Sequence, residues 1–442
     1  MRKSTYFFIE KNIIAYRCSE MWVNAEFDTL REVIMHRPGP EIEYAMLAPK
    51  QFLFERPFRS REALKEHEEL ESILKQNGVR VSILRDLVIE TADSDKIFRR
   101  ALEQKVGETV RYYGSMETAS EMKKELEKNL CILDSSTLFN TLILEPSIDI
   151  KKINQSDPGY PTIYSNLPLA NLYFMRDQQA VSNNGIIIGN MRMSQRSRET
   201  ELTEFIFSNK FGKDNLKTIS GDSKFEGGDY IPVGDFGLIG IGPRTNMAGA
   251  LDFMNSGISS HDEILILENP IYDFMTNSDR GSMVNMHLDT YFNIASDSVA
   301  IASVRLCKRA KGTVFQRTNA GGYEKGNTTT LYDYMKERHF EFIDLNVSEQ
   351  ISYSSNFLTI SNGKIVCIDS KLVMAKLMEN NFIDNQVLNI VHKEKDSTDY
   401  GNMFPNRKVM ENFGIDYITA DLSELTGGYG GAHCMTSAIR RG

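Results

Sequence analysis

Cysteine is scarce in this sequence, and no two cysteines lie close together. The 442 residues contain five of them, Cys18, Cys131, Cys307, Cys367 and Cys434. A disulfide framework or a paired-cysteine zinc site would need closer and more regular spacing. The pattern favours a reducing compartment, and we expect a cytoplasmic protein.

Long apolar runs and an excess of positive charge are also missing. The basic start MRKSTYFFIEKNIIAYRC is interrupted by Glu10 and Lys11, so it fits a signal peptide poorly, and no segment is long enough to span a membrane. Lys and Arg number 51 against 60 Asp and Glu, a net charge of −9. Because nucleic-acid binding depends largely on phosphate neutralisation, we expect neither nucleic acid nor membrane as a partner. A cationic small molecule suits this charge better.

A pattern of hairpin, helix and returning strand recurs along the chain. Hairpins are predicted in QQAVSNNGIIIGNM, DYIPVGDFGLIGIG, TYFNIASDSVAIAS and NFLTISNGKIVCID, with turns at Asn184-Gly185 and Asn362-Gly363. Helical and strand segments such as SRETELTEFIFSNK and EILILEN lie between them. The recurrence predicts an α/β fold built from similar modules.

Four polar clusters stand at the ends of predicted strands. They are NLYFMRD, FEGGD, MHLDTYF and the final GGYGGAHC. His287 and Asp289 are two residues apart on a predicted strand, so both side chains would point to one face. The two glycines of FEGGD would let the backbone approach a ligand closely, with Glu226 and Asp229 on either side of that gap. Each cluster alone is typical of an ordinary turn or surface ion pair, whereas the four together indicate a site.

Other chemistries fit these residues less well. His287, Asp289 and Cys434 could supply zinc ligands, but no HxxxH or paired-cysteine spacing accompanies them. No GxSxG motif is present, and GLIGIGPRT has Pro243 and Arg244 where a dinucleotide-binding turn needs a helix start and a third glycine. Nucleophilic chemistry at a thiol remains as the hypothesis.

Taken in order, the motifs resemble those of the arginine deiminases of the guanidine-modifying (pentein) superfamily. The similarity extends from Asn24 through MHRPGPE to the cysteine near the end of the chain. It implies an α/β fold: a five-bladed, pseudo-symmetric propeller of ββαβ modules, the pentein ring, with an inserted α-helical subdomain. It also implies an N-terminal extension at residues 1–23 and a catalytic domain at 24–442, interrupted by a helical insertion at 92–147, where the sequence is charged and helix-forming.

The resemblance also implies roles for ten residues. Cys434 would be the nucleophile, His287 the general acid and base, and Glu226 the carboxylate that holds that histidine. Asp177 and Asp289 would bind the guanidinium. The substrate-binding set would be Asn171, Arg196 and Arg244 on the α-carboxylate, Phe174 as a pocket wall, and Tyr429 at a terminal-loop position where the family usually has arginine.

The implied reaction is hydrolysis of a guanidino substrate, L-arginine in the simplest case, to a ureido product, L-citrulline, and ammonia. A guanidinium is protonated at neutral pH, two carboxylates can fix its plane, and a docked cation favours the thiolate of a nearby cysteine. Attack by Cys434 would give a covalent amidino-thioether, which water would then open. Neither a metal nor a cofactor is implied.

Three alternatives stay open at this point. Tyr429 cannot replace the bidentate donor of an arginine, so another guanidino compound such as agmatine remains a candidate substrate. An amidinotransferase would use the same cysteine, histidine and carboxylates, and a silent ring could serve as a binding module. The oligomeric state is open between a monomer and a homo-oligomer, either dimer or tetramer.

Overall fold

A computed structural model describes residues 23–152, 154, 156–275, 282–379, 385–397 and 402–442. Nearly all of the predicted N-terminal extension lies outside these residues. The described chain is a mixed α/β fold, as predicted, with its strands in six separate sheets. None of the helices within the described ranges is both long and apolar enough to cross a membrane.

The strands of the described chain are short and spread over its whole length. They are β1 (Leu30–Met35), β2 (Arg80–Ile83), β3 (Arg111–Tyr113), β4 (Pro146–Lys151), β5 (Tyr160–Ser165), β6 (Gln179–Ser182), β7 (Gly185–Ile188), β8 (Leu216–Thr218), β9 (Tyr230–Val233), β10 (Phe236–Ile241), β11 (Glu263–Glu268), β12 (Phe292–Ile294), β13 (Val299–Ala302), β14 (Lys311–Arg317), β15 (Tyr323–Thr330), β16 (Glu341–Asp344), β17 (Leu358–Ser361), β18 (Lys364–Cys367), β19 (Asp416–Thr419) and β20 (Ser437–Arg441).

Helices connect most of these strands. They are α1 (Pro40–Ala45), α2 (Ser60–Gln76), α3 (Leu84–Ser94), α4 (Lys96–Thr109), α5 (Met116–Asn129), α6 (Ser135–Leu144), α7 (Ser197–Phe211), α8 (Met247–Asn255), α9 (Ser282–Asn285), α10 (Val304–Cys307), α11 (Leu331–Glu337), α12 (Val347–Ile351), α13 (Ser370–Glu379), α14 (Asn385–Ser397) and α15 (Arg407–Asn412). Short 3-10 turns lie at Ser194–Arg196, Lys213–Asn215, Gly227–Asp229, Leu288–Thr290 and Leu425–Gly428.

Five of the six sheets repeat one arrangement. Two strands pair antiparallel, and a third strand then lies parallel to one of them after an intervening helix. This holds for β6–β7–β8, β9–β10–β11, β12–β13–β16 and β17–β18–β19. The first sheet has the same pattern with β20 as the antiparallel partner of β1 and β2 as its parallel partner. The sheets remain separate, with no closed sheet among the described residues.

The hairpin turns follow the predicted asparagine-glycine positions closely. β17 and β18 are joined at Asn362-Gly363, as predicted, with Gly363 at φ +75°. In the β6–β7 hairpin, Gly185 pairs with Ser182, so the turn lies at residues 183–184, one position before the predicted turn. Gly185 is needed there because its φ is +145° and an added Cβ would lie 2.6 Å from a backbone oxygen of residue 215.

Four helices and the sixth sheet lie between β2 and β6. The helices α3 to α6 enclose an apolar core, and β3, β4 and β5 form a small mixed sheet beside them. Phe98, Leu102 and Val106 recur at helical spacing on one face of α4, and all three are buried. Phe98 stacks on Phe205 of α7 with ring centroids 5.2 Å apart, which ties these helices to the second of the repeated sheets.

The loops that lead into five hairpin strands carry the polar clusters. Asp177 precedes β6, Glu226 precedes β9, His287 and Asp289 precede β12, and Cys434 precedes β20. The equivalent loop before β17 contains Ser354, Ser355 and Asn356, all buried. The repeated arrangement therefore places one polar loop from each of the five sheets in corresponding positions.

Candidate active site

Cys434 lies in a turn at residues 432–435, directly before β20, and is buried. Its thiol donates to Asp289 Oδ2 at 3.4 Å, and Asn356 Nδ2 donates to its Sγ at 3.1 Å. Burial and the negative charges of Asp289 and Asp177 raise the pKa of the Cys434 thiol well above its ordinary value. The resting cysteine is therefore a neutral thiol.

The imidazole of His287 is buried between two carboxylates. Its Nε2 lies 2.9 Å from Glu226 Oε2, and its Nδ1 lies 3.7 Å from Asp177 Oδ1. Burial lowers the pKa of His287, but Asp177 and the hydrogen bond to Glu226 outweigh it and raise that pKa to about 9. Gly228 packs beside this ring, because a Cβ there would be 2.8 Å from His287 Nδ1. His287 is therefore an imidazolium at neutral pH and can donate a proton.

Glu226 is held as a carboxylate by its surroundings. Burial acts to raise its pKa, but Arg244 and His287 outweigh this and lower the pKa to about 2. The backbone N–H of Arg192 donates to its Oε1 at 3.0 Å, and Arg244 Nη1 lies 3.9 Å from the same oxygen. Glu226 can therefore stabilise a protonated His287 throughout the physiological pH range.

Asp177 and Asp289 each have one carboxylate oxygen that accepts a hydrogen bond and one that accepts none from the described residues. Arg196 Nη1 donates to Asp177 Oδ2 at 2.6 Å, and His433 Nδ1 donates to Asp289 Oδ2 at 2.8 Å. Within the described chain, Asp177 Oδ1 and Asp289 Oδ1 are buried and receive no hydrogen bond. Because a buried carboxylate oxygen without a donor is costly, a cation with several N–H groups fits these two positions.

The prediction that His287 and Asp289 lie on a strand is wrong. His287 caps the 3-10 turn Leu288–Thr290, and Asp289 lies inside that turn. The turn forms because Leu288 N donates to Asp229 Oδ1 at 3.0 Å and His287 N donates to Thr290 Oγ1 at 3.1 Å. His287 thereby contacts Glu226, and Asp289 contacts Cys434.

The polar residues predicted to bind the substrate differ in how many of their hydrogen-bonding groups already have a partner. Arg196 is occupied by Asp177 and by Glu199, 2.8 Å from its Nη2, and also donates to Asn171 O at 3.4 Å. Asn171 Nδ2 donates to the backbone oxygen of Phe52 at 2.8 Å. Arg244 is buried, and its Nη1 makes no hydrogen bond within the described residues. Of the two arginines predicted to bind the substrate, Arg196 is therefore already paired, whereas Arg244 has a buried N–H group without a hydrogen bond to the described residues.

Phe174 and Tyr429 lie against the loop that precedes the cysteine. An added Cβ at Gly428 or Gly430 would fall 2.7 or 2.8 Å from the Phe174 ring, so these glycines allow the loop to pack on the phenyl group. Tyr429 lies between them in the left-handed region, with φ +75°, and is half-buried. The aromatic wall and the terminal loop are therefore in direct contact.

Several polar residues of the site escaped the sequence reasoning. His433 and Asn356 contact Asp289 and Cys434, and Glu26 lies behind them, with its Oε1 2.9 Å from Arg176 Nη1 and its Oε2 2.5 Å from Arg441 Nη2. His433 Nε2 is 3.4 Å from the same Glu26 Oε1. The sequence signal that could have identified Asn356 is the run of two serines and an asparagine before β17. This run stands in the same position relative to its strand as the other polar clusters do.

The residues can also be tested as a metal site. One atom each of Asp177, Glu226 and His287 lies within 4.8 Å of the others, which is the one such group among the described residues. The carboxylates already bind Arg196 and His287, and those cations disfavour a metal ion. The expectation of no metal stays a prediction.

A family model for arginine deiminase matches residues 50–441 of this chain. Arginine deiminases of known sequence are similar over nearly the whole length. That of Limosilactobacillus reuteri is 26% identical over 455 residues, covering 96% of this chain and 98% of the relative. That of Treponema denticola is 27% identical, covering 95% and 98%. That of Halobacterium salinarum is 24% identical, covering 96% and 97%.

Solved structures with weaker similarity include an amidinotransferase from Microseira wollei, with 13% identity, a TM-score of 0.48, and coverage of 95% of this chain and 97% of that one. The N-terminal domain of a cyanobacterial arginine dihydrolase has 11% identity, a TM-score of 0.49, and coverage of 94% and 98%. At these scores neither similarity defines the fold in detail.

Proposed function

The chain belongs to the arginine deiminase family, and we propose that it hydrolyses the guanidinium group of L-arginine to give L-citrulline and ammonia. The observation that supports this most directly is a pair of buried oxygens beside a thiol and an imidazolium: Asp177 Oδ1 and Asp289 Oδ1, which receive no hydrogen bond from any residue that the structure describes. A planar guanidinium has N–H groups for both carboxylates and a carbon for the thiol to attack.

The reaction proceeds through a covalent intermediate. Docking of the guanidinium cation beside Cys434 favours loss of the thiol proton to water, and the Cys434 thiolate then attacks the guanidinium carbon. His287 donates its proton to the departing nitrogen, so that ammonia leaves and an amidino-thioether remains. Water then adds to the same carbon with His287 as the base, and the C–S bond breaks to release the ureido product.

Arginine is favoured over guanidino compounds without a carboxylate because of Arg244. Its buried Nη1 lacks a hydrogen bond within the described residues, whereas Arg196 is occupied by two carboxylates. A substrate carboxylate at Arg244 would satisfy that donor. Tyr429 stands where the family usually has arginine and cannot supply that residue's bidentate donor.

We propose further that the five similar sheets are the blades of a pseudo-fivefold propeller, formed by residues 24–442 with 92–147 as the inserted subdomain. Hydrogen bonds between successive sheets, with the fifth returning to the first, support a ring. They join Gln179 to Ser437 (2.8 Å), Ser182 to Tyr230 (2.9 Å), Leu288 to Asp229 (3.0 Å), Asn293 to Phe357 (2.9 Å) and Arg441 to Thr359 (2.7 Å).

An ammonia-release assay over arginine, agmatine and short guanidino acids tests the proposed activity, with citrulline identified by mass spectrometry. We expect arginine to have the highest kcat/KM and a Cys434→Ala control to release no ammonia. Transfer of the amidino group to added glycine or lysine without ammonia would instead identify an amidinotransferase. Higher kcat/KM for agmatine would disprove the role given to Arg244.

A further inference from the structure

Asn356 holds the turn that carries the nucleophile. It is buried, and its Oδ1 accepts hydrogen bonds from the backbone N–H of Gly431 at 2.7 Å and of Cys434 at 3.0 Å. Its own backbone oxygen accepts from His433 N at 3.1 Å. Three backbone groups within residues 431–434 are therefore fixed by one residue of the loop that precedes β17.

The remaining polar atom of Asn356 points at the sulfur. Nδ2 donates to Cys434 Sγ at 3.1 Å and lies 3.3 Å from the backbone oxygen of Asp289. The amide orientation follows from its partners, since Oδ1 faces two N–H groups that only an acceptor can satisfy. The side chain is thus oriented with an N–H group toward the reacting atom.

The charges around the sulfur make this donor significant. Asp289 and Asp177 both oppose a negative charge on Cys434, whereas the hydrogen bond from Asn356 favours it. A hydrogen bond to an ionised group is stronger than one to a neutral group, so the bond gains strength as the thiol loses its proton. An amide also adds no charge that would repel a guanidinium.

We propose that Asn356 is a further catalytic residue, which stabilises the Cys434 thiolate through Nδ2–H while its Oδ1 fixes the nucleophile's turn. The proposal rests on the proposed function in that Cys434 is taken as the nucleophile. It assigns a role to the fifth polar loop, so that all five similar sheets contribute a side chain to the site.

The test is the rate at which iodoacetamide alkylates Cys434, measured against pH by mass spectrometry of the peptide that contains it. The reaction forms a thioether from the thiolate and releases iodide, so its rate follows the thiolate fraction and needs no guanidino substrate. In Asn356→Asp, an oxygen still accepts from the two backbone N–H groups, but the donor to Sγ is replaced by an acceptor. We expect the rate at neutral pH to fall about 10- to 100-fold and the pH profile to move to higher pH.

Asn293→Asp is the matched control, because Asn293 is also buried and donates to a neighbouring loop, at Phe357 O, without contacting the sulfur. We expect its alkylation profile to match that of the unsubstituted protein. Asn356→Ser, which adds no charge, provides a second variant if Asn356→Asp does not fold, and we expect a shift in the same direction.

Two outcomes would overturn the proposal. One is a fall in ammonia release from arginine in both Asn356 variants with no change in the alkylation profile, which would make the residue only structural. The other is an equal shift in Asn293→Asp. If the Asn356 variants shift the alkylation profile but no guanidino compound releases ammonia, the proposed activity fails and the role in stabilising the thiolate stands.

Discussion

The site has an imidazole side at His287 and a thiol side at Cys434, and these two groups stay protonated for opposite reasons. On the imidazole side, Asp177 and Glu226 raise the pKa of His287 to about 9 because they favour its cation. On the thiol side, burial and then the charges of Asp289 and Asp177 raise the pKa of Cys434, because all of them oppose its anion. The same kind of charge thus prepares a proton donor and restrains a nucleophile. A bound guanidinium would neutralise these carboxylates and release the restraint on the thiol.

The largest effect on activity is expected on the thiol side. Cys434→Ala removes the atom that forms the covalent bond, so we expect kcat to fall by about 10⁴-fold or more. Measurement of citrulline formation checks this. Cys131→Ser, at an exposed cysteine, is the control and should leave kcat unchanged. Substantial activity in Cys434→Ala would remove the thiol from the mechanism.

The imidazole side is tested next by Glu226→Gln. Loss of this carboxylate lowers the pKa of His287 and weakens its hold on the proton, so we expect kcat to fall about 10²- to 10³-fold. In the unsubstituted enzyme, activity should decline as pH rises through about 9, where His287 loses its proton. In the variant this decline should begin at lower pH.

A profile of kcat against pH measures both effects of Glu226→Gln. Glu324→Gln, at an exposed glutamate, is the control. An alkaline limb at the same pH in Glu226→Gln as in the unsubstituted enzyme would mean that another group titrates there.

Asp289→Asn tests two effects of the Asp289 carboxylate separately: it opposes ionisation of the Cys434 thiol, and it binds the guanidinium. Without its charge the free thiol ionises more readily, so we expect alkylation of Cys434 to become about tenfold faster at neutral pH. Because the guanidinium loses a charged partner, kcat/KM for arginine should fall about 10²-fold. If the alkylation rate of Cys434 and kcat/KM for arginine changed in the same direction, this account would be contradicted. Asp214→Asn, at an exposed position, is the control and should change neither quantity.

The smallest effect on activity is expected for a substitution far from both His287 and Cys434, in the helices between β2 and β6. Phe98→Ala leaves a cavity against Phe205 and should reduce the free energy of unfolding by about 3–5 kcal/mol. We expect kcat to stay within about twofold, since no residue of the site lies on these helices. Urea unfolding and citrulline assays measure both quantities. Ile97→Ala, at the exposed neighbouring position, should affect neither.

Local sequence patterns predicted much of the fold because they report local physical preferences. The turn at Asn362-Gly363 and the helix α4 within the charged, helix-forming segment at 92–147 are set by backbone geometry and by one buried face. The displaced turn before Gly185 and the 3-10 turn around Asp289 depend on contacts with distant backbone and with Asp229. Alternation along a strand contains no information about such contacts.

The same limit applies to the site. Cys434 and His287 lie in motifs that could be recognised, and the structure places both with the carboxylates predicted to accompany them. Glu26 could not be found this way, because its partners Arg176 and Arg441 lie far along the chain and each is an ordinary residue in its own segment. Buried ion pairs of this kind are visible only after folding.

The sheet that pairs β1 with both β2 and β20 has a consequence for the order of folding. Leu30 pairs with Arg441 across nearly the whole described chain, and the turn that holds Cys434 directly precedes β20. Contacts so distant in sequence form late, since a long loop must close before they contribute. We therefore expect the nucleophile to acquire its surroundings near the end of folding, so that a partly folded chain would expose its thiol to solvent without the groups that restrain it.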